Sequence, residues 1–597
     1  MRRSTLNVTV AVGFLAVAVG TLIARANPAT AYESSVYVGS PTSTWVVFAF
    51  ALAIAVGTTL SCRGRRQGYG IALGGTTVTA IVSLPVIRNY RFAGMGDAMT
   101  HLGWTRDIVS GGTAPHELFY PGLHAIATVF HVVGGVPIER GLLIAMVVLF
   151  VPFVVFVPLA VRDMAGSGLA VGLSAIVSWM VLPVNNIATF MGVHTNSNAL
   201  FLVPPVVFAL VTYLRRRSTV ERLPFGLSPF SVLVYLTGLT LLLVHPQQMF
   251  NIIVLVAAIS GVQFLARRRF DEHPMLEHPT TYAHTIVLGG MFGLWALGNE
   301  RFRSAATGLV YGLLSQDVGA GAEVDQRGSS LTDIGGSLAE LFVKMFLDAA
   351  IIGLLVGLFV LAVWLGRTSL DAESRSVVNY VSIGLVPLGG LFAVYFVGTP
   401  TMAFRQVGFI YVLLTILAGI ALAQFTGGLS SLLTRPGANA VTALVLGCCL
   451  VLGLLTVFAS PLIYNPGQHV TPEMMSGYED GLDHGAEGVP YAGMGYDPYR
   501  YDHGINGIPG GGDTVGGASA ATGTVNATVF SAGNYSGAYP TDEYYFVFTE
   551  WDRTKEIDVY QELNYREAAL EGLDTDPIAN KVVSNDEFEM YAIRSGS

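Results

Sequence analysis

Apolar residues fill this chain in long unbroken runs, not in the alternation of a half-buried strand or the stripe of a soluble helix. Thirteen runs, at 6–25, 43–61, 70–88, 141–161, 166–187, 197–214, 228–244, 248–266, 283–299, 338–366, 377–398, 403–425 and 438–460, come close to a span's length. A helix needs about 20 apolar residues to cross a hydrocarbon core about 30 Å thick. The pattern therefore predicts a polytopic α-helical membrane protein of about 13 transmembrane helices. A β-barrel is excluded, since its strands alternate apolar and polar over about ten residues. The first run follows Met1-Arg2-Arg3 and reaches Ala24-Arg25-Ala26, as a secretory signal would. Its apolar part, however, exceeds the roughly 7–15 residues of a signal, so a retained anchor is expected.

Two stretches break the rhythm of span and short turn. Residues 89–140 are far longer than a connector needs, and predict an amphipathic helix around 96–110, a break at Pro115 and Pro121, and a second, partly apolar helix around 122–134. Residues 300–337 form a Gly- and Ser-rich stretch carrying Asp317, Glu323, Asp325 and Asp333. After the last run the pattern changes. A Tyr-rich part (Tyr478, Tyr491, Tyr496, Tyr499, Tyr501) leads into a Gly-rich linker at 504–524, then a strand-like run at 544–548, a helical stretch around 557–570, and apolar segments at 581–583 and 588–591. That mixture predicts a small α/β domain. The expected organisation is an N-terminal transmembrane hairpin (1–69), a membrane core (70–464) and an acidic C-terminal domain (465–597).

Composition sharpens this picture. Only 12% of the 597 residues are charged, about half the share in soluble proteins. Residues 1–464 carry a net charge of +7 and residues 465–597 one of −16. Arg2, Arg3, Arg63, Arg65, Arg66, Arg162, Arg215, Arg216, Arg217, Arg222, Arg267, Arg268, Arg269, Arg367, Arg375 and Arg435 all fall at one set of span ends. Basic residues mark the cytoplasmic side. The N-terminus is thus expected in the cytoplasm and the acidic domain outside, in a multi-pass plasma-membrane protein. Lysine occurs three times, which fits a salt-adapted, acidic surface or a GC-rich genome. The acidic tail argues against nucleic-acid binding. Three cysteines build no disulfide framework. No phosphate loop, dinucleotide fingerprint or nucleophile elbow stands in its strand–turn–helix context.

The unusual polar residues gather at the opposite, outer ends of the spans. Asp97 and His101 lie at i and i+4, on one face of a predicted helix, where a carboxylate beside an imidazole suits general-base chemistry, a metal or a solvated pair. Glu117, Tyr120 and His124 follow in the same outer segment, and His194, Asn196, His245 and Gln247 mark two further outer turns. Imidazoles and amides offer donors and acceptors in fixed directions, which suits hydroxyl-rich ligands as well as ordinary polar turns. Arg405 enters the top of a span on the side where arginine is disfavoured, placing a guanidinium where it holds a phosphate or snorkels; Arg301 is a second candidate. No HxxxH or HExxH spacing supports a divalent metal. The sequons Asn526-Ala527-Thr528 and Asn534-Tyr535-Ser536 fall in the outer domain.

The segments Gly96-Asp97-Ala98-Met99-Thr100-His101-Leu102, Phe119-Tyr120-Pro121-Gly122-Leu123-His124 and His245-Pro246-Gln247, with the ending Asn580-Lys581-Val582-Val583-Ser584-Asn585 and Tyr591, resemble archaeal members of the GT-C class of membrane glycosyltransferases. The likeness is architectural over most of the chain and local at these motifs. It implies transfer of a sugar from a polyprenyl or dolichyl phosphate to a glycan, glycoprotein or glycolipid acceptor on the outer face, with inversion. It further implies Asp97 as general base beside His101, Arg405 and Arg301 on the donor phosphate, and Glu117, Tyr120, His124, His194, Asn196, His245 and Gln247 around sugar and acceptor. The chain departs from the family in three ways. The Trp-Trp-Asp motif of its oligosaccharyltransferases is missing, the acidic loop follows the third span instead of the first, and no second acid adjoins Asp97. Two other readings use the same polar cavity: a transporter or flippase for a lipid-linked or polar solute, and a non-catalytic surface assembly protein. The first would carry matched halves with broken helices near the midplane, which are not visible.

Overall fold

The computed structural model describes residues 3–185, 191–216, 221–314, 336–398, 400–495, 497–508 and 522–594. Every one of the thirteen apolar runs is built largely of helix. Among the described residues nine helices are long and apolar enough to cross a membrane, from Thr5–Ala26 to Arg435–Leu455. The remaining runs form shorter or more polar helices, Arg65–Val82, Gly168–Ser178, Pro229–Val244 and Tyr282–Gly298. The chain is thus a polytopic helical membrane protein. The run 338–366 is two helices, Leu338–Met345 and Leu347–Trp364, because Phe346 leaves helical geometry between them at φ −123°, ψ −8°. The stretch 300–337 opens with a helix, Glu300–Leu314, and its acids Asp317, Glu323, Asp325 and Asp333 lie outside the described residues.

The helix Pro400–Leu429 runs through the middle of the bundle, with Phe409, Val412, Leu413, Ile416 and Ala421 fully buried. Glycines set its approach to its neighbours. A Cβ on Gly419 would stand 2.6 Å from the Ala170 carbonyl oxygen, and one on Gly408 3.0 Å from that of Pro183. Backbones meet this closely only where a side chain is missing. Arg405 lies near the N-terminal end of this helix and is half-buried.

The acidic tail folds into a five-stranded sheet. Among the described residues the chain has, in order, β1 (Phe92–Ala93) and β2 (His469–Val470), which form a separate pair, and β3 (Tyr491–Gly493), β4 (Thr522–Thr524), β5 (Glu543–Thr549), β6 (Ala579–Asn585) and β7 (Phe588–Arg594), which form the sheet. The sheet order is β4-β3-β5-β7-β6, with β3 parallel to β4 and β5, and β7 antiparallel to β5 and β6. Strand periodicity sorts β5: Tyr544, Phe546 and Phe548 enter the domain's own core, while Tyr545 and Val547 join the core continuous with the membrane body. The expected Gly-rich linker is not one piece. Residues 504–506 end a helix, Asp497–Asn506, and Thr522–Thr524 is β4; 509–521 lie outside the described residues. The helix expected over 557–570 is instead a turn of α-helix at Glu550–Arg553, a π-helical turn at Thr554–Val559 and a short helix at Glu567–Gly572.

The outer segment and the tail are stitched together. β1 pairs antiparallel with β2, and Gly94 N–H donates to the Gln468 carbonyl at 2.8 Å. The helix Asp497–Asn506 packs on the helix Asp97–Ser110 so tightly that a Cβ on Gly103 would stand 2.2 Å from the His503 carbonyl oxygen.

Candidate functional site

Asp97 begins its helix directly after Gly96, whose φ of +60° is glycine's region and turns the chain into the helix. A carboxylate in the first turn faces the positive end of the helix dipole. Its side chain is 52% exposed, and Oδ1 accepts a 2.6 Å ion pair from Arg500 Nη2. The other guanidinium nitrogen, Nη1, donates to Thr100 Oγ1 at 2.6 Å, and Thr100 Oγ1 also meets His503 Nδ1 at 3.2 Å. Two side chains of the acidic domain thus enter the site.

The i, i+4 spacing of Asp97 and His101 does not make them a pair. Asp97 turns to Arg500, while His101 points into the protein and shares a hydrogen bond with His124, Nδ1 to Nε2 at 3.1 Å. Trp104 lies against both rings, 5.3 Å from His101 and 5.6 Å from His124, and Tyr120 sits 5.2 Å from His245. The sequence brings these elements together by small residues and prolines. Gly122 lets its helix approach the end of Pro229–Val244, where a Cβ would stand 3.0 Å from the Leu243 carbonyl oxygen. His245 caps the next helix in extended geometry with Pro246 at its first position. His194 caps Thr195–Leu200, with its Nδ1 3.0 Å from Ser197 Oγ.

Burial pushes the imidazoles of His101, His124, His194 and His245 down, His124 and His194 to about 4. Positive neighbours add to this: Arg405 acts on His194 and His245, and Arg500 on His101. The layer is therefore neutral at pH 7. Arg405 is half-buried, and among the described residues no carboxylate pairs with it.

Several polar atoms are left over. Gln248 Nε2 donates to Asn196 Oδ1 at 2.5 Å and accepts from Asn251 through Oε1 at 3.1 Å, so Asn196 is used internally. By contrast His245 Nδ1, Gln247 Nε2 and both amide atoms of Gln406 are buried without a partner among the described residues. Buried polar groups are rarely left unpaired, and those beside a cleft are groups that a ligand would satisfy.

Of the residues singled out from sequence, Asp97, His101, Tyr120, His124, His194, Asn196, His245, Gln247 and Arg405 all lie in this region. Glu117 does not join it. It is exposed and its Oε2 accepts from the Ala114 N–H at 2.8 Å, closing a surface turn. The side chain of Arg301 lies outside the described residues. Sequence reasoning missed Arg500, His503, Thr100, Trp104 and Gln406. The one usable signal was Arg500 itself, one of six basic residues among 133 in the tail and set between Tyr499 and Tyr501. Among the described residues no group of three or more His, Cys, Asp or Glu is arranged to hold a metal ion.

No family model matches the chain, and no curated protein does. Among solved structures, the chain is similar to ArnT from Cupriavidus metallidurans bound to undecaprenyl phosphate, with 12% identity and a TM-score of 0.46 over 92% of this chain and 98% of that one. It is also similar to the archaeal oligosaccharyltransferase AglB from Archaeoglobus fulgidus in complex with an inhibitory peptide and a dolichol-phosphate, with 12% identity and a TM-score of 0.45 over 83% of this chain and 71% of that one. Both neighbours are polytopic membrane glycosyltransferases of the GT-C class that the sequence resembles. At TM-scores below 0.5 the likeness carries no argument about what this chain does.

Proposed function

We propose that the protein is a membrane glycosyltransferase that moves a sugar from a polyprenyl or dolichyl phosphate to an acceptor hydroxyl on the external face of the plasma membrane. The observation that carries this reading is a half-exposed carboxylate, Asp97, and a guanidinium, Arg405, that pairs with no carboxylate among the described residues, both acting on the same histidine, His194. A base and an anion-binding cation on the two sides of one histidine are what sugar transfer from a lipid phosphate requires. The acceptor oxygen attacks the anomeric carbon and its proton passes to Asp97. The bond from that carbon to the phosphate oxygen breaks, its electron pair staying on the phosphate, which Arg405 stabilises as charge develops. One carboxylate and no covalent sugar–enzyme intermediate give inversion. The unpaired His245 Nδ1, Gln247 and Gln406 amides supply donors and acceptors for sugar hydroxyls. The outer location fits a donor that arrives within the membrane plane, because nucleotide sugars stay in the cytoplasm. In this reading 70–464 is the catalytic core, 1–69 an added hairpin, and 465–597 an external domain that completes the site.

The test is mass spectrometry of surface glycans from the source organism carrying wild type, a deletion, or Asp97→Asn at equal protein level. The expected result is a glycan shortened by one sugar in both altered strains, with the lipid-phosphate sugar accumulating. Normal glycans with Asp97→Asn would remove Asp97 as the base. Normal glycans in the deletion would remove the reading.

A further inference from the structure

The ion pair that holds Asp97 comes from the acidic domain, from a helix whose docking on the Asp97 helix is specific. Besides the Gly103 contact, a Cβ on Gly504 would stand 2.6 Å from the Met99 methyl, and Asp107 Oδ2 accepts from the Ile508 N–H at 2.9 Å. Arg500 is 22% exposed and Asp97 52%. A pair half open to solvent contributes little net stability, so it exchanges readily for a better anion. Asp97 pairs with Arg500 alone among the described residues, while Arg405 acts on His194 and His245 behind it.

We propose that Asp97 is a built-in stand-in for the phosphate: the phosphate of a lipid-linked donor displaces it from Arg500. This rests on the glycosyltransferase reading and extends it. Arg500 then holds the phosphate, since a guanidinium fork matches phosphate oxygens as well as it matches a carboxylate. Asp97, released, keeps its place at the head of the helix with both oxygens open to the acceptor hydroxyl. The base is thus freed only when a donor is seated, and the arginine that detects the donor belongs to the external domain. Thr100 and His503 act as positioning residues: Thr100 Oγ1 accepts from Arg500 Nη1 and contacts His503 Nδ1, holding the guanidinium in place during the exchange.

The experiment is a binding measurement with undecaprenyl phosphate, the lipid phosphate without its sugar, on the full-length protein in detergent. Wild type, Arg500→Gln, Asp97→Asn and the double variant are compared. Arg500→Gln is expected to bind about tenfold more weakly, the loss of one charge-assisted hydrogen bond. Asp97→Asn is expected to bind several-fold more tightly, and that gain is expected to vanish in the Arg500→Gln background. Arg500→Lys, which keeps the charge and loses the fork, falls between wild type and Arg500→Gln. A gain from Asp97→Asn that persists without Arg500 would overturn the exchange, because it would be a general charge effect. Equal affinity of wild type and Arg500→Gln, or no binding by either, would overturn it too. Turnover plays no part in this measurement. An intact exchange with unchanged surface glycans would therefore preserve the inference and sink the transferase reading, and the converse would do the reverse.

Discussion

At the residue scale the site is governed by how burial divides the ionisable groups. Asp97 stays at the rim, and the four histidines behind it are driven neutral. Their pKa values lie below the unfolded value of about 6.5, so their contribution to stability is complete above pH 6.5 and is lost as pH falls toward about 4. A histidine at about 4 costs about 2 kcal/mol of stability by pH 5. The His101–His124 bond adds to this, because an N···N contact needs one bare nitrogen and protonating both rings breaks it. Thermal unfolding in detergent between pH 8 and 5 is expected to show a fall in stability that begins near pH 6.5. In His124→Asn, which removes one titrating ring, the fall should be shallower. A wild-type stability flat from pH 7 to 5 would contradict the neutral layer.

At the element scale, most of the fold was legible in the sequence because the length of the apolar runs speaks directly of helices. The helices within 89–140 were legible too: helices do cover Asp97–Ser110 and Gly122–Gly134, broken by Pro115 and Pro121. What stayed hidden depended on tertiary contacts. Helical spacing put Asp97 and His101 on one face, yet it could not show that the face is split between solvent and a second histidine from 23 residues away. Nor could it place Arg500, whose role depends on a helix from another domain. Glu117 looked equivalent to its neighbours in sequence, but a surface turn uses its carboxylate. The docking itself makes a prediction. Gly103→Leu pushes a side chain into the His503 carbonyl, and an overpacked contact of this kind costs about 1–3 kcal/mol. The helix Asp497–Asn506 should become accessible to protease while the membrane bundle stays intact. Undisturbed protection would mean that the two helices do not pack as described.

At the scale of the whole molecule, the apolar body and the acidic tail meet at one largely buried knot of side chains. Glu33 comes from between the first two long helices, Arg88 from the end of the run 70–88, Tyr90 from the segment that follows it, and His469 and Glu587 from the acidic tail. Arg88 is 3% exposed and donates to Glu33 through both terminal nitrogens, one of them at 2.6 Å, while the Tyr90 hydroxyl donates to the same carboxylate. Tyr90 stacks on His469 with ring centroids 3.8 Å apart, and the Tyr32 hydroxyl donates to the Gly467 carbonyl at 2.9 Å. Burial pushes His469 down to about 3, so it stacks as a neutral ring. β1 and β2 lie beside this knot, which therefore sets where the acidic domain sits and where its Arg500 reaches. Removing one partner of a buried ion pair leaves the other charge uncompensated and costs about 3–5 kcal/mol. Arg88→Met is expected to lower the unfolding temperature and to loosen the acidic domain, although Arg88 is not among the residues assigned to the site. Replacing both partners, Arg88→Met with Glu33→Gln, should restore much of the stability, since no charge is then stranded. If the single variant matched wild type in unfolding temperature and in protease protection of the tail, the knot would not be what joins the domain to the membrane body, and Arg500 would need some other anchor to reach Asp97.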